Sequence, residues 1–306
     1  MIVYGLLLVT LIVAAVSLIC LYKLRGKKTY NNWSLLLLSI SLGIFIYLYG
    51  TWVFLSVYTK YVFATCYIVL FIIVIFSLKT KAATGGKRSK LVLNLLFTIL
   101  FSTLSVLYFT GTTGKPYGIA NLAFPFKKGN YLVFQGGKGL PTNLFHYSFR
   151  GAVYAMDIIK LNSFGNRAKH IFSTQLTDYE TYNDTIYSPC SGMVLHAKDD
   201  NPDNIPPHRE RGPSNTNHVL LETDSFYVFM AHLRPHCVFV HDSQWVQQGQ
   251  PLGCAGNSGF SLEPHLHIQA HAKTNPGIPW YKEPPLWIEF DGKSYLLFQE
   301  IRTQQE

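Results

Sequence analysis

Four long apolar runs without a single Asp, Glu, Lys or Arg fill the first third of this chain, at about residues 2–22, 33–58, 61–78 and 91–110. About 20 apolar residues in a helix span ~30 Å of hydrocarbon, where a charged side chain is expensive. Buried helices of a soluble domain rarely come as four such runs in 110 residues, so the sequence predicts four transmembrane helices. Tyr22, Tyr30, Trp33, Tyr58 and Tyr61 stand near the run ends, as interfacial anchors do. The first run reads as an uncleaved helix. No Lys or Arg precedes it, and Leu18-Ile19 before Cys20 are not the small residues a cleavage site wants.

Charge gives the orientation. Residues 1–110 hold 10 of the 26 Lys and Arg and none of the 17 Asp and Glu. The rest of the chain holds 16 basic and 17 acidic residues, so the formal +9 belongs entirely to the apolar third. A nucleic-acid partner is therefore not expected; a lipid bilayer is. Lys23, Arg25, Lys27 and Lys28 follow the first run, and Lys79, Lys81, Lys87, Arg88 and Lys90 precede the fourth. A very short turn around Lys60 is expected between the second and third. Nine of the ten charges then share one side, which the positive-inside rule makes cytoplasmic. Everything after Thr110 faces outward, in a multi-pass protein of the cytoplasmic membrane. No ionisable residue inside the runs marks a transport path, so the helices read as anchor and scaffold.

Residues 111–306 are built differently. All 11 histidines lie there. Short β-rich runs recur, among them Tyr131-Leu-Val-Phe, Ala152–Ile159, Gly192–His196, His218–Glu222, Phe226–Ala231, Val238-Phe-Val and His267–Ala270. Gly, Pro, Asn and Asp separate them, as in antiparallel sheets joined by turns. Lys198–Asn217 reads as a long surface loop. Cys190, Cys237 and Cys254 permit one disulfide on the outer side, and their spacing does not choose the pair.

The sequence His265-Leu266-His267 carries the chemistry. Residues two apart on a strand share a face, so the motif delivers two imidazoles to one place. Neutral imidazole is a common zinc donor, and a carboxylate completes a hydrolytic set. Around it, in order, stand His146, Tyr154-Ala-Met-Asp157, Gly192 before a Val strand, an aromatic strand ending Ala231-His232-Leu233, Gly249-Gln-Pro-Leu-Gly253 and Gly256-Asn-Ser-Gly259.

That ordered set resembles the LytM/lysostaphin-type zinc endopeptidases, which cut peptide bonds in bacterial peptidoglycan; the likeness spans roughly residues 122–272. It implies a mainly antiparallel β-domain with an open groove, one Zn²⁺ per chain, and a peptidoglycan peptide as substrate. His146, Asp157 and His267 would be the zinc ligands, and His232 and His265 the catalytic pair that moves protons and stabilises the oxyanion. Ten residues separate His146 from Asp157, where many members of the family have far fewer. The expected organisation is a membrane region at 1–110, a linker at 111–121, a zinc metallopeptidase-like β-domain at 122–283 and closing strands or tail at 284–306. A catalytically silent, wall-binding or hydrolase-regulating domain of the same fold is the rival; loss of a ligand would mark it, and none is lost.

The other histidines, His170, His196, His208, His218, His236, His241 and His271, read as structural or solvent-facing. Gly249, Gly253, Gly256 and Gly259 lack the Lys-Ser/Thr of a phosphate loop and read as turns and close packing against the substrate groove.

Overall fold

The computed structural model describes residues 2–27, 29–78, 88–275 and 277–304. Lys28, the Lys79, Lys81 and Lys87 part of the basic loop, and Glu306 lie outside the described residues. The chain divides into two units, Met1–Phe109 and Thr110–Glu306.

The first unit contains α1 (Ile2–Tyr22), α2 (Thr29–Tyr49), α3 (Val57–Ser77) and most of α4 (Arg88–Thr110). All four are long and apolar enough to cross a membrane. Polar side chains inside the unit are paired, as helices in an apolar solvent require. Ser39 Oγ donates to the Ser17 carbonyl at 3.1 Å and lies 2.8 Å from the Tyr67 hydroxyl. The connection between α2 and α3 differs from expectation. The run 33–58 breaks at Gly50, a 3₁₀ turn follows at Trp52–Phe54, and the Ser56 side chain caps α3 by accepting from Tyr58 N. Lys60 therefore lies inside the first turn of α3, not in the turn before it. It is buried, with its Nζ 4.4 Å above the Tyr47 ring. The cap, rather than the charge, sets the start of the helix.

The second unit is mainly antiparallel sheet. Its strands are β1 (Ile119–Leu122), β2 (Lys128–Gln135), β3 (Met156–Leu161), β4 (Thr185–Tyr187), β5 (Gly192–Lys198), β6 (His218–Glu222) and β7 (Phe226–Ala231). There follow β8 (Leu233–Val238), β9 (Trp245–Val246), β10 (Pro251–Ala255), β11 (Leu266–Ala272), β12 (Pro285–Phe290), β13 (Lys293–Ser294) and β14 (Glu300–Gln304). The large sheet runs β14-β2-β3-β11-β7-β6-β5-β9, with β12 joining β11, β1 and β13 at its side. The small sheet runs β4-β10-β8.

Alternation along the central strands sorts the two faces. Met156, Ile158, Leu266, Ile268, Val228, Met230, Val219 and Leu221 point into the core cluster, together with Ile186, Leu233, Leu252 and Ala255 of the small sheet. The intervening residues, Asp157, His267, Gln269 and Phe229, fall on the other face. The buried layer thus holds rigid the strands that display the candidate site.

The expected linker and tail are both incorporated. Ile119 pairs with Trp287, so 119–121 belong to β1, which runs parallel to β12. β14 pairs with β2 from Glu300↔Leu132 to Gln304↔Lys128. Leu297 and Phe298 are buried in the turn before β14. Residues 198–217 form a long loop with many exposed positions, pinned by buried amides. Asn217 donates to the Asn201 carbonyl at 2.7 Å, and Asn204 to the carbonyls of Gly259 (2.7 Å) and Ser261 (3.0 Å). These buried amides satisfy backbone groups of two loops at once. Cys237 of β8 and Cys254 of β10 form a disulfide between adjacent strands, and Cys190 is a free, buried thiol.

Candidate metal centre

Three of the expected residues come together from three elements. His146 sits in a one-turn helix, Leu144–Tyr147; Asp157 is on β3 and His267 on β11. The last two are direct cross-strand partners. One ligand atom from each lies within 4.8 Å of the others. Asp157 Oδ1 is 3.3 Å from His146 Nε2 and 3.0 Å from His267 Nδ1, and all three side chains are largely buried.

The outer hydrogen bonds decide what these atoms offer. Asn143 uses its amide N–H groups on the carbonyls of Val153 and Ala155, both at 3.0 Å. Its oxygen is therefore the acceptor facing His146 Nδ1 at 2.8 Å, which must carry the proton. His146 Nε2 is left with a lone pair aimed at a carboxylate oxygen. Two acceptors converging in a buried place need a cation or a proton between them. The donor set, two imidazoles and one carboxylate, suits zinc with an open coordination position.

His232 and His265 lie beside this cluster. His232 follows β7 in the left-handed region, φ 66°. Its Nδ1–H donates to the Ser258 carbonyl at 2.7 Å, leaving Nε2 free to accept. His265 immediately precedes β11. Its Nδ1–H donates to the Glu263 carbonyl at 2.8 Å, while Nε2 is 3.4 Å from Asp157 Oδ1. The two rings are 4.6 Å apart, and His232 is 5.8 Å from His267.

Electrostatics separate these groups. Burial alone would raise the Asp157 carboxyl, but the His146 and His265 imidazoles outweigh it and hold it well below the usual range. Burial drives His232 well below the ordinary imidazole range, and the His265 and His267 rings push it further down. Burial also acts to lower His265, yet the Asp157 carboxylate overcomes it and the imidazole is raised.

Several residues that build the site were not singled out in the sequence. Glu263 presents the carbonyl that holds His265, and its carboxylate is clamped by Arg167, Nε to Oε2 2.8 Å and Nη2 to Oε1 3.1 Å, with both side chains buried. The Asn257 backbone N–H donates to Asp203 Oδ1 at 2.7 Å, which ties the Gly256–Gly259 turn to the 198–217 segment. Gly256 and Gly259 are there for space. A Cβ at Gly256 would lie 2.5 Å from the Arg234 backbone, and Gly259 combines φ +72° with a Cβ position 1.9 Å from Thr216 Oγ1. The close packing is thus against the start of β8 and against Thr216. His196 and His218 pair with each other at 5.1 Å outside the cluster, and His218 rests on Phe229. Of the remaining histidines, His271 alone is fully buried.

No curated protein matches the chain. Among solved structures it is similar to the catalytic domain of the antimicrobial peptidase lysostaphin from Staphylococcus simulans, at 15% identity over 51% of this chain and 82% of that one, TM-score 0.27. It is similar to a zinc containing peptidase from Vibrio cholerae at 14% identity, covering 55% of this chain and 40% of that one, TM-score 0.29. It is also similar to a putative peptidase M23 from Pseudomonas aeruginosa at 18% identity, covering 64% and 60%, TM-score 0.29. Of the longer lysostaphin chain it spans 48%. Residues 174–279, which include His232, His265 and His267 but begin after His146 and Asp157, match the family model of Peptidase family M23. The matched segment lies inside the β-rich unit, and the family it matches is the one that the motifs of that unit resemble.

Proposed function

We propose that this chain is a membrane-anchored zinc endopeptidase that hydrolyses peptide bonds outside the cytoplasmic membrane, with peptidoglycan cross-links as substrate. The observation that carries it is the convergence of His146 Nε2, Asp157 Oδ1 and His267 Nδ1 in one buried cluster. These three hold the metal. Zinc, when bound, supplies Lewis acidity and the means to deprotonate water near neutral pH. The protein's own part lies with His232 and His265. Each has its Nδ1–H fixed on a backbone carbonyl, so each presents Nε2 to the same space above the sheet. One positioned imidazole moves the proton between water and the leaving amine, and the other faces the developing oxyanion.

Location is supported by independent features. Four apolar helices and the concentration of basic residues beside two of their ends favour an anchor with the β-unit outside. The Cys237–Cys254 pairing suits an oxidising compartment.

The test uses the full chain in detergent micelles, loaded with zinc and offered purified cross-linked peptidoglycan. Release of new amino termini that stops on chelation and returns with zinc is expected. Wall binding without any cleavage, unchanged by His232→Ala, would instead establish the silent binding domain.

A further inference from the structure

His271, which the sequence marks only as a strand residue after the His-Leu-His motif, lies in a hydrogen-bonded series that ends on a candidate ligand. The side chains of His267, Gln269 and His271 share one face of β11. His267 Nε2 is 3.0 Å from Gln269 Oε1, Gln269 Nε2 is 3.3 Å from His271 Nε2, and His271 Nδ1 is 2.8 Å from the backbone oxygen of Glu283. All four residues are buried.

Only one end of this series has a fixed polarity. A backbone carbonyl cannot donate, so His271 Nδ1 carries a proton. Burial holds His271 below the ordinary imidazole range against the opposing pull of Glu283 and the Gly151 carbonyl; with the single proton of the neutral ring on Nδ1, the Nε2 that faces Gln269 is an acceptor. The group opposite that acceptor must then be the amide NH₂ of Gln269. Its oxygen is thereby turned to His267, and His267 Nε2 must be the donor. His267 Nδ1 is left with its lone pair directed at Asp157. Glu283 is itself immobilised: its carboxylate accepts from Asn275 N at 2.7 Å and Thr274 N at 3.1 Å, and it also pairs with the Thr274 hydroxyl.

We propose that Gln269 and His271 are positioning residues for the metal site: anchored on the Glu283 carbonyl, they fix His267 in the Nε2–H tautomer and so dedicate Nδ1 to the metal. The inference rests on the zinc reading above. Without the series His267 is free to place its proton on Nδ1, where Asp157 would attract it, and that form cannot ligate. The direction of the bonds matters as much as their presence. A carboxylate at 269 still accepts from His267 but cannot donate to His271. An aliphatic group does neither.

Two measurements on the full chain in nanodiscs test this, with zinc alone as the probe. Chelator competition gives the zinc affinity, and ¹⁵N spectra of the imidazoles in metal-free protein give the proton position on His267. In the wild type His267 Nε2 is expected to be protonated. Gln269→Leu, close in volume, should weaken zinc by about 10–100-fold, the usual cost of losing an outer-sphere partner. Gln269→Glu should restore affinity to within a few-fold of wild type. His271→Phe should also weaken zinc, by less than Gln269→Leu does, although Gln269 remains. An unprotonated His267 Nε2 in the wild type overturns the proposal, as does full affinity in Gln269→Leu or His271→Phe. A wild type that binds no zinc would defeat the metal reading, while the ¹⁵N spectrum would still decide the tautomer.

Discussion

Asp157 and His267 stand directly opposite each other on neighbouring antiparallel strands, with His267 Nδ1 3.0 Å from Asp157 Oδ1. Register, not loop flexibility, sets that distance, so each should be indispensable for metal. Asp157→Ala and His267→Ala are expected to abolish stoichiometric zinc measured by elemental analysis, and His146→Ala likewise. Full zinc in any of the three would remove that residue from the ligand set.

Catalysis should separate from binding at the neighbouring pair. His232→Ala and His265→Ala are expected to keep near wild-type zinc and to lose at least about 10²-fold in hydrolysis, the typical worth of a positioned acid–base group or oxyanion donor. Parallel zinc and rate assays on the same preparations check this. Loss of metal in His232→Ala would place that residue among the ligands.

Arg167 and Glu263 offer a stability test close to the site. Removing one partner leaves a buried charge uncompensated, at a cost of roughly 3–5 kcal/mol. Arg167→Met should therefore lower the unfolding midpoint of the β-unit substantially. Arg167→Met combined with Glu263→Leu should recover much of the loss, because no unpaired charge remains. Additive losses in the double variant would show that the pair acts through packing alone.

How far was this legible beforehand? The four helices and the His-Leu-His strand were, because apolar runs and two-residue alternation are local signals. Lys60 was misplaced because a Ser cap on an apolar helix leaves little trace in hydropathy. Gln269, His271, Asn143 and Glu263 carried no signal. Their partners are carbonyls and amides brought near by sheet pairing and turns, and no spacing rule marks them. The 198–217 segment was legible as a loop, but not its anchoring: Asn204 and Asn217 lie inside, bonded to backbone.

The cysteines make a chemical prediction. Burial pushes the Cys190 thiol up to about 12, so almost none is thiolate at pH 8. Iodoacetamide on the native chain should spare the Cys190 peptide in mass spectrometry and modify it after denaturation. Cys237 and Cys254 should stay unmodified until a reductant is added. Rapid native labelling of Cys190 would contradict its placement.

Orientation is tested by fusion. A reporter active only outside the cytoplasm should work after Glu306 and fail when placed between Lys79 and Lys90. The converse pattern would reverse the charge-based topology.

The pairing of Asp157 with His267 spans 110 positions of sequence. During synthesis the first two donors emerge long before the third, and a carboxylate with a single imidazole holds zinc poorly. The site comes into being only when β11 slots between β3 and β7, late in the chain. On the proposed reading, metal captured then would contribute its binding energy to closing that final gap and to nothing earlier. On this account the ion acts as a latch on the finished sheet, and an unfinished chain has no competent hydrolytic centre with which to damage its surroundings.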